Sequence, residues 1–553
     1  MKDGLCIFLF WRIRLRQFSA SDSMALTQAL RQHFAIGLLA GLCVFLLDSV
    51  QGGKLLAVPV DGSHWISMKP VLIELGKRGH TVVVAIPEVS MQMGPSSHYT
   101  TKTFPVPYTK EKIREMNQLQ RKVFEDVSTL GQIRFIVGFV HFFQNFSRST
   151  CESFFYNQEL MQDLKEQEFD AVLTDPVLPC GVIVAEYLSV PSIYMLRGIP
   201  CSLDFRATQC PRPPSFVPTF FTKFSDQMTF TQRIVNFLIN LLEPLLCKFL
   251  FSAYDDMASS LLQRDVTVEE IMSRASVWLM RFEFTFEYPR PLMPNMVLIG
   301  GINCAQRKAL SLELETFVNS SGEHGFVVFT LGSMVSEMPM EKVNVFVEAF
   351  RRIPQKVLWR YTGPIPDNLP DNIKIMKWLP QNDLLGHPKA RAFITHGGTH
   401  GIYEGICNGV PMVMLPLFGD QSDNAHRMEA RGVGVVLSIN QITTEVLLEA
   451  VNKVINNKSY KEKMTKLSAL HRDRPVEPMD LAVFWTEFVM RHKGAQHLRP
   501  AAHELNWIQY HSLDVIGLLI TIVVVLVIVT VRSCAFCFRK CCCKKPSLKN
   551  KSD

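Results

Sequence analysis

The sequence predicts an α/β protein built from two doubly wound parallel-sheet domains, carried on a C-terminal membrane helix. Short apolar runs alternate with helical patterns through both halves of the chain. Several runs end in a carboxylate or glycine turn, where open α/β sheets place their ligand sites. A proline-rich join, YPRPLMPN (Tyr288–Asn295), separates the halves, and 553 residues leave room for two or three domains. Two Rossmann-like domains facing a cleft are therefore expected.

Residues 1–53 read as an N-terminal extension and signal peptide. AIGLLAGLCVFLL (Ala35–Leu47) follows Arg31 and His33 and precedes Gly52 and Gly53, with cleavage expected around Ser49–Gly53. Met24 would make a natural start, and an uncleaved signal anchor is the alternative. The first domain, 54–292, opens on KLLAVPV (Lys54–Val60), a buried strand, then the loop DGSHW and the helical pattern WISMKPVLIELGKRGH with Gly79 as its C-cap. TVVVAIP (Thr81–Pro87) completes a βαβ unit, and FDAVLTDP (Phe169–Pro176) is a further strand ending in a carboxylate. The apolar stretch Val235–Tyr254 is broken by Glu243 and Pro244, which suits a buried helix pair or a segment lying in a lipid interface.

The second domain, 293–475, repeats the theme. FVVFTLGS (Phe326–Ser333) is a strand running into a glycine turn, and EKVNVFVEAFRRI is an amphipathic helix. KVLWRY, IKIMKWLP, RAFITHGG, VPMVMLP and GVVLSI supply further strands. Residues 476–512 are expected to return as a helix and juxtamembrane segment, and 513–531 to span a membrane. The seventeen residues Val515–Val531 are apolar throughout, a short span suited to the thinner endoplasmic reticulum bilayer. The tail, 532–553, is basic. Its Arg539, Lys540, Lys544 and Lys545 place that side in the cytosol and the body in the lumen. Lys549 and Lys551, near the C-terminus, have the spacing of a dilysine retrieval signal for the endoplasmic reticulum. Asn145, Asn319 and Asn457 open glycosylation sequons in the lumenal body.

Net charge is +7, and the last twenty-two residues supply seven Lys or Arg against one Asp, so nothing in the body suggests a nucleic-acid partner. Of fourteen cysteines, seven lie widely spaced in the body, which is not the pattern of a disulfide scaffold. Five sit in the tail (Cys534, Cys537, Cys541, Cys542, Cys543), where acylation or a reduced cluster fits better than zinc.

The densest motif is THGGTHGIYEG (Thr395–Gly405). His396, His400 and Glu404 at intervals of four suggest a zinc face, but RAFITHGG is a strand and GIYEGICN the next helix, closed by Gly409 and Pro411. His396 and Gly397 then sit at a strand-to-helix turn, where free backbone N–H groups and the helix dipole favour a diphosphate. No metal site is expected. A base for transfer chemistry is offered by His64 in DGSHW, at the start of a helix facing the cleft, with Asp175 of LTDP as the carboxylate that would hold its tautomer.

WLPQNDLLGHP (Trp378–Pro388) and FITHGGTHGIYEGICNGVPMVMLPLFGDQSDN (Phe393–Asn424) resemble the signature of the UDP-glucuronosyltransferases. The resemblance runs from Lys54 to the C-terminus and includes RPVEPMDLAVFWTEFVMRHKGA. His400, where other branches carry Asn, is similar to subfamily 1. It implies a GT-B type glycosyltransferase in which Trp378 stacks on uracil and Gln381 bonds nearby. Ser333 and His396 would contact the diphosphate with the Gly398–Gly401 amides, and Glu404 would accept the ribose hydroxyls. Asp420 and Gln421 would hold the sugar, Arg360 would lie near the nucleotide, and the contact of His400 stays open. His64 and Asp175 match the family's catalytic pair. The implied reaction moves glucuronic acid from UDP-glucuronate, as co-substrate, to hydroxyl groups of small lipophilic acceptors (phenols, steroids, bile-pigment-like compounds), with inversion to the β anomer. No cofactor or Mg²⁺ is implied, and homo- or hetero-oligomers with related transferases are. Two rivals stay open: another UDP-sugar (glucose or N-acetylglucosamine) as donor, or a catalytically silent lumenal subunit modulating partner transferases. The acceptor site is expected within roughly Met91–Ser225, without a shape.

Overall fold

The computed structural model describes residues 52–113, 129–304, 307–332, 335 and 337–542. The signal segment, Ser333 and the tail residues Lys544, Lys545, Lys549 and Lys551 lie outside the described residues. The first sheet comprises β1 (Lys54–Val58), β2 (Thr81–Pro87), β3 (Thr100–Phe104), β4 (Ala171–Thr174), β5 (Ser192–Leu196), β6 (Val277–Met280) and β7 (Met296–Leu298). Their order is β3-β2-β1-β4-β5-β6-β7, every pair parallel. The second sheet comprises β8 (Phe326–Thr330), β9 (Lys356–Arg360), β10 (Ile373–Met376), β11 (Ala390–Thr395), β12 (Met412–Met414) and β13 (Gly434–Val436), in the order β10-β9-β8-β11-β12-β13, again parallel.

Both faces of each sheet are buried, which is why these strands read as continuous apolar runs. In β1, Leu56 and Val58 feed one core while Leu55 and Ala57 feed the opposite one. Helices labelled here are α1 (Ser63–Lys77), α2 (Thr129–Phe155), α3 (Cys180–Tyr187), α4 (Phe230–Leu262), α5 (Met340–Arg351), α6 (Gln381–Leu385), α7 (Thr399–Asn408), α8 (Gln421–Ala430), α9 (Lys458–Arg472), α10 (Pro478–His492) and α11 (Leu513–Cys542). Helix α10 returns to the first sheet. Its Ala482, Val483, Val489 and Met490 join Trp65, Val71 and Leu72 of α1 in one core. At its rim His80 Nε2 lies 3.2 Å from Glu487 Oε1, and Lys493 pairs with Asp170.

Four expectations change. The first sheet reaches beyond the expected 292/293 boundary, because Met296–Leu298 pairs with β6 before the chain crosses over. Val235–Tyr254 is not a helix pair. It lies within the single 33-residue α4, which continues through Pro244 and whose Glu243 carboxylate is held by Ser202 Oγ at 2.9 Å and by Arg212. Cysteines do staple the body: Cys151–Cys180 joins α2 to α3, and Cys304–Cys407 joins the linker to α7. The apolar C-terminal helix, expected to end at 531, runs on to Cys542 as α11. Its 30 residues give about 45 Å, with no part of its most apolar window buried.

Asn145, Asn319 and Asn457 are all exposed. The shared core of α1 and α10 generates a test. Val489 is fully buried, so Val489→Asp places an unpaired carboxylate there and should destabilise the fold by roughly 3 kcal/mol or more, seen as a lowered midpoint in thermal unfolding.

Candidate functional site

In each domain the strand order reverses beside the first strand, between β1 and β4 in one sheet and between β8 and β11 in the other. Crevices at such switch points are where open α/β sheets hold ligands. His64 follows β1 and Asp175 follows β4, so the topology brings together two residues far apart in sequence. His64 Nδ1 lies 2.6 Å from Asp175 Oδ2. The loop carrying His64 is fixed from below by Asp61, whose carboxylate accepts the backbone N–H groups of Gly62, Met91 and Gln92 at 2.7, 2.6 and 3.2 Å.

Asp175 is buried, and its other oxygen accepts the Val177 N–H at 3.1 Å. Burial pushes its carboxyl up, but the His64 imidazole and the Arg281 guanidinium outweigh this and hold it below the usual carboxylate range. An ionised Asp175 takes the Nδ1–H of His64 and leaves Nε2 as the basic nitrogen. With its side chain 29 % exposed, His64 keeps that nitrogen reachable.

Arg281, immediately after β6, went unnoticed in the sequence. Its Nη1 donates to Ser67 Oγ at 2.8 Å and its Nη2 stands 3.4 Å from His64 Nδ1. Burial lowers its pKa, while Asp175 and Asp420 both draw on its charge. Among the described residues no carboxylate lies within ion-pair distance of it. A signal was present: a cation directly after the buried run VWLM occupies the same strand-end position as Asp175 after VLT.

The second switch point holds the glycine turn. Gly332 ends the β8 turn at φ 87° and Gly397 has φ 83°. The His396 ring lies between backbones, and a Cβ on Gly332 or on Gly398 would come within 2.5 Å of it. Gly398 caps α7 with no side-chain hydrogen bond, so the first N–H groups of α7 face the turn without a side-chain acceptor, as an anion site requires. Burial drives His396 down to about 4 despite the nearby Asp420, with Arg360 and His400 adding to the depression. Its Nδ1 has no partner among the described residues. His396 is therefore a neutral imidazole with a hydrogen bond to give, as a diphosphate contact needs.

Glu404 is buried in α7. Its Oε1 lies 3.3 Å from His400 Nδ1 and its Oε2 accepts Gln381 Nε2 of α6. His400 thus faces Glu404. Trp378 is 56 % exposed, with the Arg360 guanidinium 5.2 Å above its ring and Arg360 Nη1 donating to the Gly332 carbonyl. Asp420 Oδ2 accepts Thr399 Oγ1 at 3.1 Å and Asn424 Nδ2 at 2.8 Å. Gln421 spends its carbonyl oxygen on the N–H groups of Leu417 and Phe418, at 2.9 and 3.1 Å.

The model of the UDP-glucoronosyl and UDP-glucosyl transferase family matches residues 53–547. The chain belongs to this family. UDP-glucuronosyltransferase 1A6 of Homo sapiens is 54 % identical over 511 residues, 91 % of this chain and 95 % of that one. UDP-glucuronosyltransferase 1A1 of Rattus norvegicus is 56 % identical over 501 residues, 90 % and 94 % of the two chains. Solved structures share the fold. A UDP-glucosyltransferase from Polygonum tinctorium superposes with TM-score 0.54 at 16 % identity over 80 % of this chain and 99 % of that one. The glycosyltransferase VinC in complex with DTDP does so with TM-score 0.54 at 17 % identity, over 80 % and 100 %. The protein is a glycosyltransferase of the GT-B fold.

Two outcomes test this geometry. Gly398→Ala pushes a methyl into the His396 ring and should weaken UDP binding by about tenfold, equivalent to 1.4 kcal/mol, in isothermal titration of a protein whose unfolding midpoint is unchanged. Because His396 titrates near 4 when folded and near 6.5 when unfolded, the unfolded chain binds the extra proton between those values. Stability should fall as pH drops from about 6.5 toward 4. His396→Gln should flatten that part of the profile.

Proposed function

We propose that the protein is an inverting glucuronosyltransferase that moves glucuronic acid from UDP-glucuronate to hydroxyl groups of small lipophilic acceptors. His64 Nε2 takes the acceptor's proton as its oxygen attacks the anomeric carbon, and Asp175 holds the tautomer and stabilises the imidazolium. One in-line displacement of UDP from an α-linked donor gives the β-glucuronide. Trp378 stacks on uracil, Glu404 takes the ribose hydroxyls in place of Gln381 and His400, and the amides of Gly398–Gly401 receive the departing diphosphate with His396. Ser333 joins them in this reading. Asp420 orients sugar hydroxyls, and Gln421 does so through the amide nitrogen left free by its backbone contacts.

The observation that carries the donor choice in this reading is Arg281. Its buried guanidinium stands 3.4 Å from His64 Nδ1 and has no carboxylate within ion-pair distance among the described residues. A glucuronate carboxylate supplies the missing anion and glucose does not. Phenols, steroids and bile-pigment-like compounds are the acceptor classes to screen. In the same reading the body lies in the endoplasmic reticulum lumen, α11 spans the membrane, and the face of α4 bearing Leu241, Leu245 and Phe249, each more than half exposed, rests on lipid. Association with related transferases belongs to this reading too.

Microsomes carrying the protein, offered radiolabelled UDP-glucuronate, UDP-glucose or UDP-N-acetylglucosamine with one phenol, should make the glucuronide fastest. His64→Ala should cut kcat by roughly 10²–10⁴ with UDP binding retained, and undiminished turnover would refute the base. Arg281→Leu should raise KM for UDP-glucuronate by at least about tenfold while altering UDP-glucose use far less. Equal losses with both donors would assign Arg281 to the base instead of the carboxylate.

A further inference from the structure

A second cavity lies between the domains, separate from the base and the glycine turn. Three guanidinium groups line it: Arg197, just after β5, Arg290, in the connection from β6 to β7, and Arg427 of α8. Each side chain is more than nine-tenths buried, at 8, 8 and 9 % exposure. Glu287 Oε1 meets Arg197 Nη2 and Arg427 Nε, both at 2.8 Å, and Arg290 Nη2 stands 3.7 Å from Asp204 Oδ2. Those pairs do not use up the donors. Arg197 Nε, Arg290 Nη1 and Arg427 Nη1 have no hydrogen-bond partner among the described residues. Buried N–H groups of this kind are expensive to leave unmet.

The charge count favours an anion. Three arginines face Glu287, which stays ionised, and Asp204, whose carboxyl burial pushes up toward its neutral form and one of whose oxygens is itself unpartnered. The arginines are also held in place. Arg290 lies 4.1 Å from the Phe205 ring centroid and 4.7 Å from that of Phe282, and Arg197 lies 5.4 Å from both Phe282 and Phe286. The open space is about 30 Å³. A single water needs about 10–15 Å³ on this scale, so a monatomic ion fits and a ring or a nucleotide does not.

We propose that this cavity binds one small monovalent anion of chloride size, which bridges arginines of the first domain and Arg427 of the second. The placement links it to the donor site. Asp423, one turn before Arg427, accepts the backbone N–H groups of Phe221 and Lys223 from the first domain at 2.6 and 2.9 Å. Arg431, one turn after, donates to the Glu287 carbonyl at 2.9 Å. One face of α8 is thus the interdomain contact, while Asp420 and Gln421 stand at its N-terminal end. An anion that relieves the repulsion between Arg427 and the arginines opposite favours the closed pair of domains and tightens donor binding. This goes beyond the proposed reaction and uses it for only one of its readouts.

The test uses the full-length protein in detergent micelles, with chloride exchanged for gluconate at constant ionic strength. Expected in chloride are a saturable broadening of the ³⁵Cl resonance that bromide displaces, and a Tm higher by roughly 2 °C. KM for UDP-glucuronate should be lower by roughly fivefold, with kcat little changed. Arg290→Gln should abolish all three effects, and Arg290→Lys, which keeps the charge and loses the fork, should weaken them. Neither the ³⁵Cl line nor Tm requires turnover, so a wrong donor assignment would alter only the kinetic arm. A ³⁵Cl line in chloride no broader than without protein, together with an identical Tm in both salts, would mean that water alone fills the cavity, and the proposal fails. Full chloride effects in a folded Arg290→Gln protein would place the anion elsewhere, which also overturns it.

Discussion

Two parallel sheets covered on both faces leave a polar ligand only the strand ends to approach, and this constraint organises the molecule. Backbone groups inside each sheet are committed to ladders, and the inward side chains are mostly apolar, with buried threonines such as Thr174, Thr330 and Thr395 at strand ends. Polar groups near the cleft therefore gather where β1, β4 and β6 end in one domain and where β8 and β11 end in the other. Sheet order does the rest. Because the chain leaves β1 for β2 and β3 before returning to β4, the loops after β1 and β4 diverge around a crevice that His64 and Asp175 share. The second domain makes the same reversal and fills its crevice with backbone and the His396 ring. One construction, used twice, yields a carboxylate-held histidine on one side and a glycine turn with free helix N–H groups on the other.

That duplication explains which parts were legible in the sequence. A strand buried on both faces is a contiguous apolar run, so KLLAV, VVVAI, FVVFT and RAFIT declared themselves. Residues after such runs are strand-end residues by position alone, which made His64, Asp175 and His396 readable. What escaped depends on pairing at a distance. Met296–Leu298 is three residues long and becomes a strand only because β6 lies beside it. The disulfide partner of Cys304 is 103 positions away, and no local spacing announces it. Glu243 and Pro244 look like a helix break, yet α4 runs through both, and Glu243 finds its partners in Ser202 and Arg212, 41 and 31 positions away. Arg281 followed the same strand-end rule as Asp175 and was overlooked because a lone arginine carries no motif.

Charge inside the cleft is arranged with an asymmetry that follows from solvation. A buried arginine paired with a carboxylate, as Arg197 and Arg427 are with Glu287, holds its neighbours and keeps Glu287 ionised down to about pH 2. A buried arginine without such a partner among the described residues, as Arg281 is, retains an unmet demand for negative charge. The first arrangement joins the domains while leaving some of its N–H groups unmet, and the second leaves a cation beside His64.

Glu404 illustrates how the nucleotide side avoids the opposite problem. In the proposed reading Glu404 serves two ribose hydroxyls, and a buried carboxylate left unmet without them would cost roughly 1–3 kcal/mol or more. Here Gln381 and His400 occupy its two oxygens from α6 and from one turn earlier on α7. Each is a neutral or titratable donor on a side chain that can turn aside, so exchanging it for a hydroxyl trades one hydrogen bond for another. A fixed arginine in their place would hold the carboxylate too firmly to release. The histidine at position 400 therefore keeps one oxygen of the buried Glu404 partnered, as Gln381 does the other.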